Sequence, residues 1–151
     1  MSDLINPGLV LLDRDLGEST ESVIRALAAT VHREGRASTA DSLAADALAR
    51  EAKNATGIPG GIGIPHCRSV AVVEPTLAFG RSTQGIDWGA ADGPAHLIFL
   101  IAAPEGGGAE HMGILAKLAR KLIHPSFRES LHQAPDSEAV VILVNKEVLG
   151  Q

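Results

Sequence analysis

The chain has no tyrosine, one tryptophan, three phenylalanines and one cysteine in 151 residues. With aromatics confined to Phe79, Phe99, Phe127 and Trp88, the core has to be built from Ala, Val, Leu and Ile. A lone cysteine, Cys67, excludes an intramolecular disulfide and fits a reducing compartment. There is no excess of positive charge. The formal net charge is −5, which argues against a protein that grips a nucleic-acid backbone. The longest apolar run, Leu97 to Ala103, is far too short to span a bilayer. Met1-Ser2-Asp3-Leu4 lacks the basic start and apolar stretch of a signal peptide. Internal repeats and low-complexity tracts are missing too. The expectation is one cytoplasmic domain over residues 1–151, large enough to fold without staples.

Several motifs are also missing. There is no Gly-x-x-x-x-Gly-Lys-[Ser/Thr] loop for nucleotide phosphates, no Gly-x-Gly-x-x-Gly fingerprint and no Gly-x-Ser-x-Gly elbow. No short-spaced His/Cys set supplies a third ligand to complete a zinc site with His66 and His111, so no metal and no cofactor is expected.

What is present reads as strands interleaved with helices, the pattern of an α/β layered fold. Leu9 to Leu12 reads as a first strand ended by Asp13. Thr20 reads as an N-cap, and Val23, Ile24, Leu27, Ala28 and Val31 follow at helical spacing until Gly35. A second helix begins near Ser38 or Thr39 and ends around Asn54. Residues 55–61 read as a loop into a strand over Ile62–Pro65. Leu77–Gly80 is a strand, Ser82–Pro94 is loop-rich, and His96–Ala103 is a buried central strand. A glycine-rich loop leads to an amphipathic helix from Glu110 to Ile123, and Pro125 opens a short one. The β-branched run Val140–Val144 fits strand or helix on propensity alone.

The chemistry concentrates near Gly60-Gly61-Ile62-Gly63-Ile64-Pro65-His66-Cys67-Arg68. Pro65 fixes its own φ and drives Ile64 into extended geometry, so His66 is presented at an element edge. A neutral imidazole held that way is a nucleophile or acid–base group near pH 7, or else the partner of a turn carbonyl. His111 sits at a helix start, where unpaired N–H groups favour an anion; it reads equally as a solvated first-turn residue. Arg50 and Glu51 close the second helix. A guanidinium there can fork onto phosphate or simply complement the helix end. Thr56 offers a hydroxyl at the loop start, or a local turn bond. Cys67 alternates to the other side of the chain from His66 and reads as a packed small side chain. His32, His124 and His132 read as surface residues, and His96 as structural.

These residues, taken together, carry a resemblance. Arg50-Glu51, Thr56-Gly57, Gly63-Ile64-Pro65-His66, Gly80-Arg81-Ser82 and Gln84-Gly85-Ile86-Asp87-Trp88-Gly89 match in order. Asp92-Gly93-Pro94, His96 to Gly106, Glu110-His111 and Leu115 to Arg120 follow. The chain resembles the type-2 enzyme IIA domain of the sugar phosphotransferase system, fructose–mannitol family, most of all the fructose subtype. The resemblance implies a three-layer α/β fold, a mixed β-sheet flanked by helices, with the last segment helical. It implies that His66 accepts a phosphoryl group from the phosphohistidine of HPr, as a tele-phosphohistidine. His66 then passes it to a cysteine on a IIB component, with sugar uptake through a IIC permease in the membrane. It implies that His111 assists at the phosphoryl group and that Arg50 offsets its charge, with Glu51 and Thr56 in support. Where the family often has Ser-Thr, this chain has Ala55-Thr56, so one hydroxyl is missing.

Phosphoryl transfer between two histidines needs positioning and charge stabilisation rather than a nucleotide pocket. Two proteins must reach one nitrogen in turn, so the acceptor ring should face solvent in a shallow site ringed by Ile62, Ile64, the 106–108 loop and Met112. Two other functions stay open on sequence. One is a regulatory domain of the nitrogen-related branch, acting by phosphorylation-dependent protein binding. The other is a metal-dependent hydrolase, which would carry stoichiometric zinc.

Overall fold

The structure, a computed structural model, describes residues 4–13, 16–106 and 108–150, and of residues 108–112 the backbone alone. A 3-10 turn at Pro7–Leu9 leads into β1 (Val10–Leu12). Two helices follow, α1 (Thr20–Arg33) and α2 (Ala40–Lys53). Then come β2 (Gly57–Ile58), β3 (Ile62–Gly63), β4 (His66–Ser69), β5 (Thr76–Ile86) and β6 (Ala95–Pro104). Three helices close the chain, α3 (Gly108–Leu122), α4 (Pro125–Gln133) and α5 (Ser137–Glu147). The sheet has six strands in the order β1-β5-β6-β3-β2, with β4 also on β6. It is mixed: β1 runs parallel to β5, β5 antiparallel to β6, and β3 and β4 parallel to β6. The mixed sheet flanked by helices is the one the resemblance implied.

Helices cover both faces. The site of a Cβ on Gly80 lies against Leu16 and Leu27 of the α1 side. The next residue, Arg81, points the other way along the strand and reaches the end of α4. Every residue of β6 from Leu97 to Ala103 is buried, as a strand covered on both faces requires. Core packing is aliphatic around one aromatic pair, Phe79 and Phe99, with ring centroids 4.6 Å apart.

Several boundaries differ from the sequence reading, each for a local reason. The cap of α1 is Ser19, not Thr20. Ser19 Oγ accepts from Ser22 N–H at 3.0 Å, and Ser22 Oγ accepts from Ser19 N–H at 3.2 Å. Thr20 instead donates its hydroxyl to the Asp87 carbonyl. The strand expected over Ile62–Pro65 is split: β3 stops at Gly63, and His66 opens β4 rather than following a strand. Part of the region read as loop, up to Ile86, continues β5 after an irregularity beyond Arg81. A polar sequence stays in the sheet there because Ser82 and His96 tie the two strands, His96 Nδ1–H donating to the Ser82 carbonyl at 2.9 Å. The amphipathic helix ends at Leu122, and Ile123 is 69% exposed. The Val140–Val144 run is helical, as the resemblance implied, capped by Asp136, with Val140 and Val144 buried.

Arg81 holds the β5 end to α4. Arg81 is 8% exposed, and its Nη1 donates to the carbonyls of Leu131, His132 and Ala134 at 2.9–3.1 Å. These are carbonyls at the end of α4 that have no helical partner, and a cation suits that end of a helix. Nε and Nη2 fork onto the Asp13 carboxylate at 2.9 and 2.7 Å. The hydrogen bond from Arg81 holds the Asp13 carboxyl below its ordinary 3.8. That stabilisation is therefore fully present above the unfolded value and is lost as pH falls through the lower folded value. Two outcomes are expected in denaturant titrations. Arg81→Met lowers stability by about 3 kcal/mol by stranding buried carbonyls. The same change also flattens the loss of stability of the wild-type chain below pH about 4 that Asp13 causes.

Candidate functional site

The His66 segment is built by an interrupted ladder. Ile62 and Gly63 pair with Leu97 and Ile98, and His66 and Cys67 pair with Ile101 and Ala102. The register is the same on both sides, so residues 62–69 form one extended run along β6, broken only at Ile64–Pro65. Pro65 has no N–H for a ladder, though its carbonyl still accepts from Ile101 N–H at 3.0 Å. Ile64 faces away from β6, and its carbonyl accepts from His66 Nδ1 at 2.9 Å. A carbonyl only accepts, so a neutral ring in this bond carries its proton on Nδ1. The lone pair then lies on Nε2. His66 itself is half-buried.

Behind this loop stands a polar network. Thr56 is buried, and the Glu51 carboxylate accepts from both its N–H and its hydroxyl at 2.6 Å. The Trp88 indole N–H donates to Thr56 Oγ1 at 3.0 Å. The Thr56 carbonyl accepts from Ile64 N–H at 3.2 Å. Glu51, Thr56 and Ile64 are thereby linked to His66 bond by bond. Two glycines let the pieces close up. A Cβ on Gly63 would lie 2.7 Å from the Trp88 ring, and one on Gly57 would lie 2.5 Å from the Trp88 carbonyl.

A second tie fixes α2. Ser69 Oγ donates to Asp46 Oδ2 at 2.5 Å and accepts from Ala71 N–H at 3.1 Å. With Asp46 tied to Ser69 and Glu51 tied through Thr56 to Ile64, α2 runs antiparallel to residues 64–69. Cys67 and Ser69 face this helix; His66 and Arg68 alternate to the other side. Burial, and secondly the Asp46 charge, push the Cys67 thiol up to about 12. At neutral pH it is a protonated, packed side chain, as its alternation with His66 predicts.

The remaining candidates fall as follows. Arg50 is half-buried in the last turn of α2, and its Nη1 donates to the Asn54 carbonyl at 3.3 Å. It is thus bonded to its own helix end rather than to the Glu51–Thr56 network. His111 lies on the first turn of α3, with its side chain outside the described residues, as is that of Met112. The expected apolar rim is corrected: Ile62 is fully buried and Ile64 nearly so, so both belong to the core rather than to an exposed rim. Sequence reasoning gave Trp88 only as part of a matching motif and missed Asp46 and Ser69. A mid-helix Asp and a strand Ser carry no spacing signal that links them. Among the described residues no group of three His, Cys, Asp or Glu side chains could hold a metal ion. A cleft of about 510 Å³ lies at the far end of α3, lined by Lys117, Arg120, Lys121 and His124, away from this chemistry.

The site is thus a half-buried histidine, bonded through Nδ1 to the Ile64 carbonyl, that opens a strand of a mixed sheet flanked by helices. The chain belongs to the family described as phosphoenolpyruvate-dependent sugar phosphotransferase system, EIIA 2, which matches residues 3–147. It is 44% identical over 107 residues to the fructose-specific EIIA component of Haloferax volcanii, covering 70% of each chain. It is 35% identical over 127 residues, 83% of its length, to the fructose-specific EIIABC component of Bacillus subtilis, of which it spans only 20%. Its fold is similar to that of the nitrogen regulatory protein IIA-Ntr from Neisseria meningitidis. The TM-score is 0.84, with 30% identity and coverage of 93% of this chain and 96% of that one.

With its thiol buried and protonated, Cys67 should resist iodoacetamide at pH 8 in the folded protein and react once the chain is unfolded. Rapid native alkylation, followed by intact mass, would show that the strand is open there.

Proposed function

We propose that His66 is the phosphoryl acceptor of a sugar phosphotransferase relay of the fructose type. The observation that carries this reading is the His66 Nδ1–H bond to the Ile64 carbonyl, which leaves Nε2 as the nucleophile. The donor is the ring-protonated phosphohistidine of HPr. Nε2 of His66 attacks phosphorus; the bond from phosphorus to the donor nitrogen breaks as the new one forms. The donor ring departs neutral, and the His66 ring takes up the positive charge with its proton still on Nδ1. The Ile64 carbonyl is then bonded to a more acidic N–H than before. It therefore holds the transferring state more tightly than the ground state, which is what accelerates a step. His111 and Arg50 act on the phosphoryl oxygens, Arg50 by leaving the Asn54 carbonyl. The group then passes to a cysteine of a IIB component, with sugar contacted only by later components. Similarity to the Haloferax fructose-specific EIIA supports this branch.

A regulatory output is the second reading, favoured by the likeness to a nitrogen regulatory protein. The same histidine would be phosphorylated, and a bound target protein would carry the signal.

Incubation with phosphoenolpyruvate, enzyme I and HPr should add one phosphoryl group, mapped by mass spectrometry to His66. His66→Ala should abolish the uptake; labelled phosphate retained by that variant refutes the assignment. His111→Ala should fold and slow transfer at least tenfold, and an unchanged rate removes His111 from the step. Onward passage to a IIB cysteine separates transport from regulation. No helix among the described residues is long and apolar enough to cross a membrane.

A further inference from the structure

We propose that Trp88 is a positioning residue for the His66 ring, acting through Thr56 and the Ile64 backbone; the proposal rests on the phosphoryl reading of His66. Trp88 is 2% exposed and is the one large aromatic at this end of the sheet that carries a polar hydrogen. Its indole N–H goes to Thr56 Oγ1, not to backbone or solvent. Its ring lies over Gly63 and its carbonyl against Gly57, so it touches both arms of the β2–β3 hairpin. The residue between them in bonding is Thr56, and Thr56 sets the height of Ile64 through one backbone bond.

Ile64 is then held on both sides of its Cα. Its N–H is held by Thr56, and its carbonyl is the acceptor for His66 Nδ1. Hydrogen bonds weaken steeply as the angle at the hydrogen falls, so a small shift of the Ile64 backbone that turns the following peptide removes the acceptor. The proton then leaves Nδ1 for Nε2, and the nucleophile is lost. Thr56 spends its hydroxyl hydrogen on Glu51 and so has only lone pairs for other partners. The Trp88 N–H fills one of them. The pair is matched donor to acceptor in a buried place where an unmatched group is costly.

The test uses the intact chain and substitutions of graded severity. Trp88→Phe keeps a ring over Gly63 and removes the donor. Thr56→Val removes the hydroxyl, and Thr56→Ser keeps it. The first readout is the protonation of the His66 ring nitrogens, read by long-range proton–nitrogen correlation on the free protein. The Nδ1–H form should fall about three- to tenfold relative to the Nε2–H form in Trp88→Phe and Thr56→Val, and persist in Thr56→Ser. The second readout is phosphoryl uptake from HPr. Its rate constant should fall by a similar factor, with the half-saturating HPr concentration unchanged. An unaltered tautomer in both Trp88→Phe and Thr56→Val overturns the proposal. So does a loss of tautomer in Thr56→Ser equal to that in Thr56→Val. Should Trp88→Phe not fold, the contrast between the two Thr56 variants decides. If the wild-type chain takes no phosphate on His66, the functional reading falls on its own, and the tautomer measurement still decides the role of Trp88.

Discussion

One hydrogen bond organises this site, from the His66 ring to the Ile64 carbonyl. Pro65 cannot donate to β6, and the ladder along that edge lapses for two residues before resuming in the same register. Ile64 faces away from β6 toward Thr56, to which it donates its N–H. The Thr56 N–H goes to Glu51 instead of returning the bond, which leaves the Ile64 carbonyl for the imidazole two residues on. Sheet regularity on either side keeps that exchange rigid, because both flanks are pinned to a strand buried on both faces. Precision at the site thus comes from the most regular part of the fold rather than from a dedicated loop.

The same economy governs the ends of helices. Arg81 and Arg128 each turn a guanidinium onto carbonyls at a helix C-terminus, Arg81 at α4 and Arg128 at Leu122, which ends α3, and at the following Ile123. Neither helix needs a left-handed glycine to stop, and each is fastened to its neighbours by the side chain that caps it. Arg128 also lies within 3 Å of where a Cβ on Gly60 would stand, so the hairpin below His66 and the end of α3 share one residue.

The sequence read well where pattern is periodic. The buried faces of α1 and α2, the central strand and the helix after Pro125 follow directly from apolar spacing. It misled where tertiary bonds overrule local preference. Ser82–Ile86 is polar yet stays in β5. Val140–Val144, open between strand and helix on propensity, is the helix the resemblance implied, under an Asp136 cap. His66 and its tie to Pro65 were visible as an adjacency in the chain. The Glu51–Thr56–Trp88 network was visible only as separate motif fragments, since its bond from Trp88 to Thr56 spans 32 residues. Asp46 and Ser69 left no trace in the sequence, because a single hydrogen bond across a helix–strand interface has no period to detect.

The scarcity of aromatics has one more consequence. The only indole of the chain sits in the wall behind His66, bonded to Thr56, and no tyrosine is present to feed or mask it. Emission from this protein on ultraviolet excitation is accordingly a signal from one address. Any event that loosens the hairpin, shifts Ile64 or docks a visitor above it is written into the colour and lifetime of a native fluorophore, without a label.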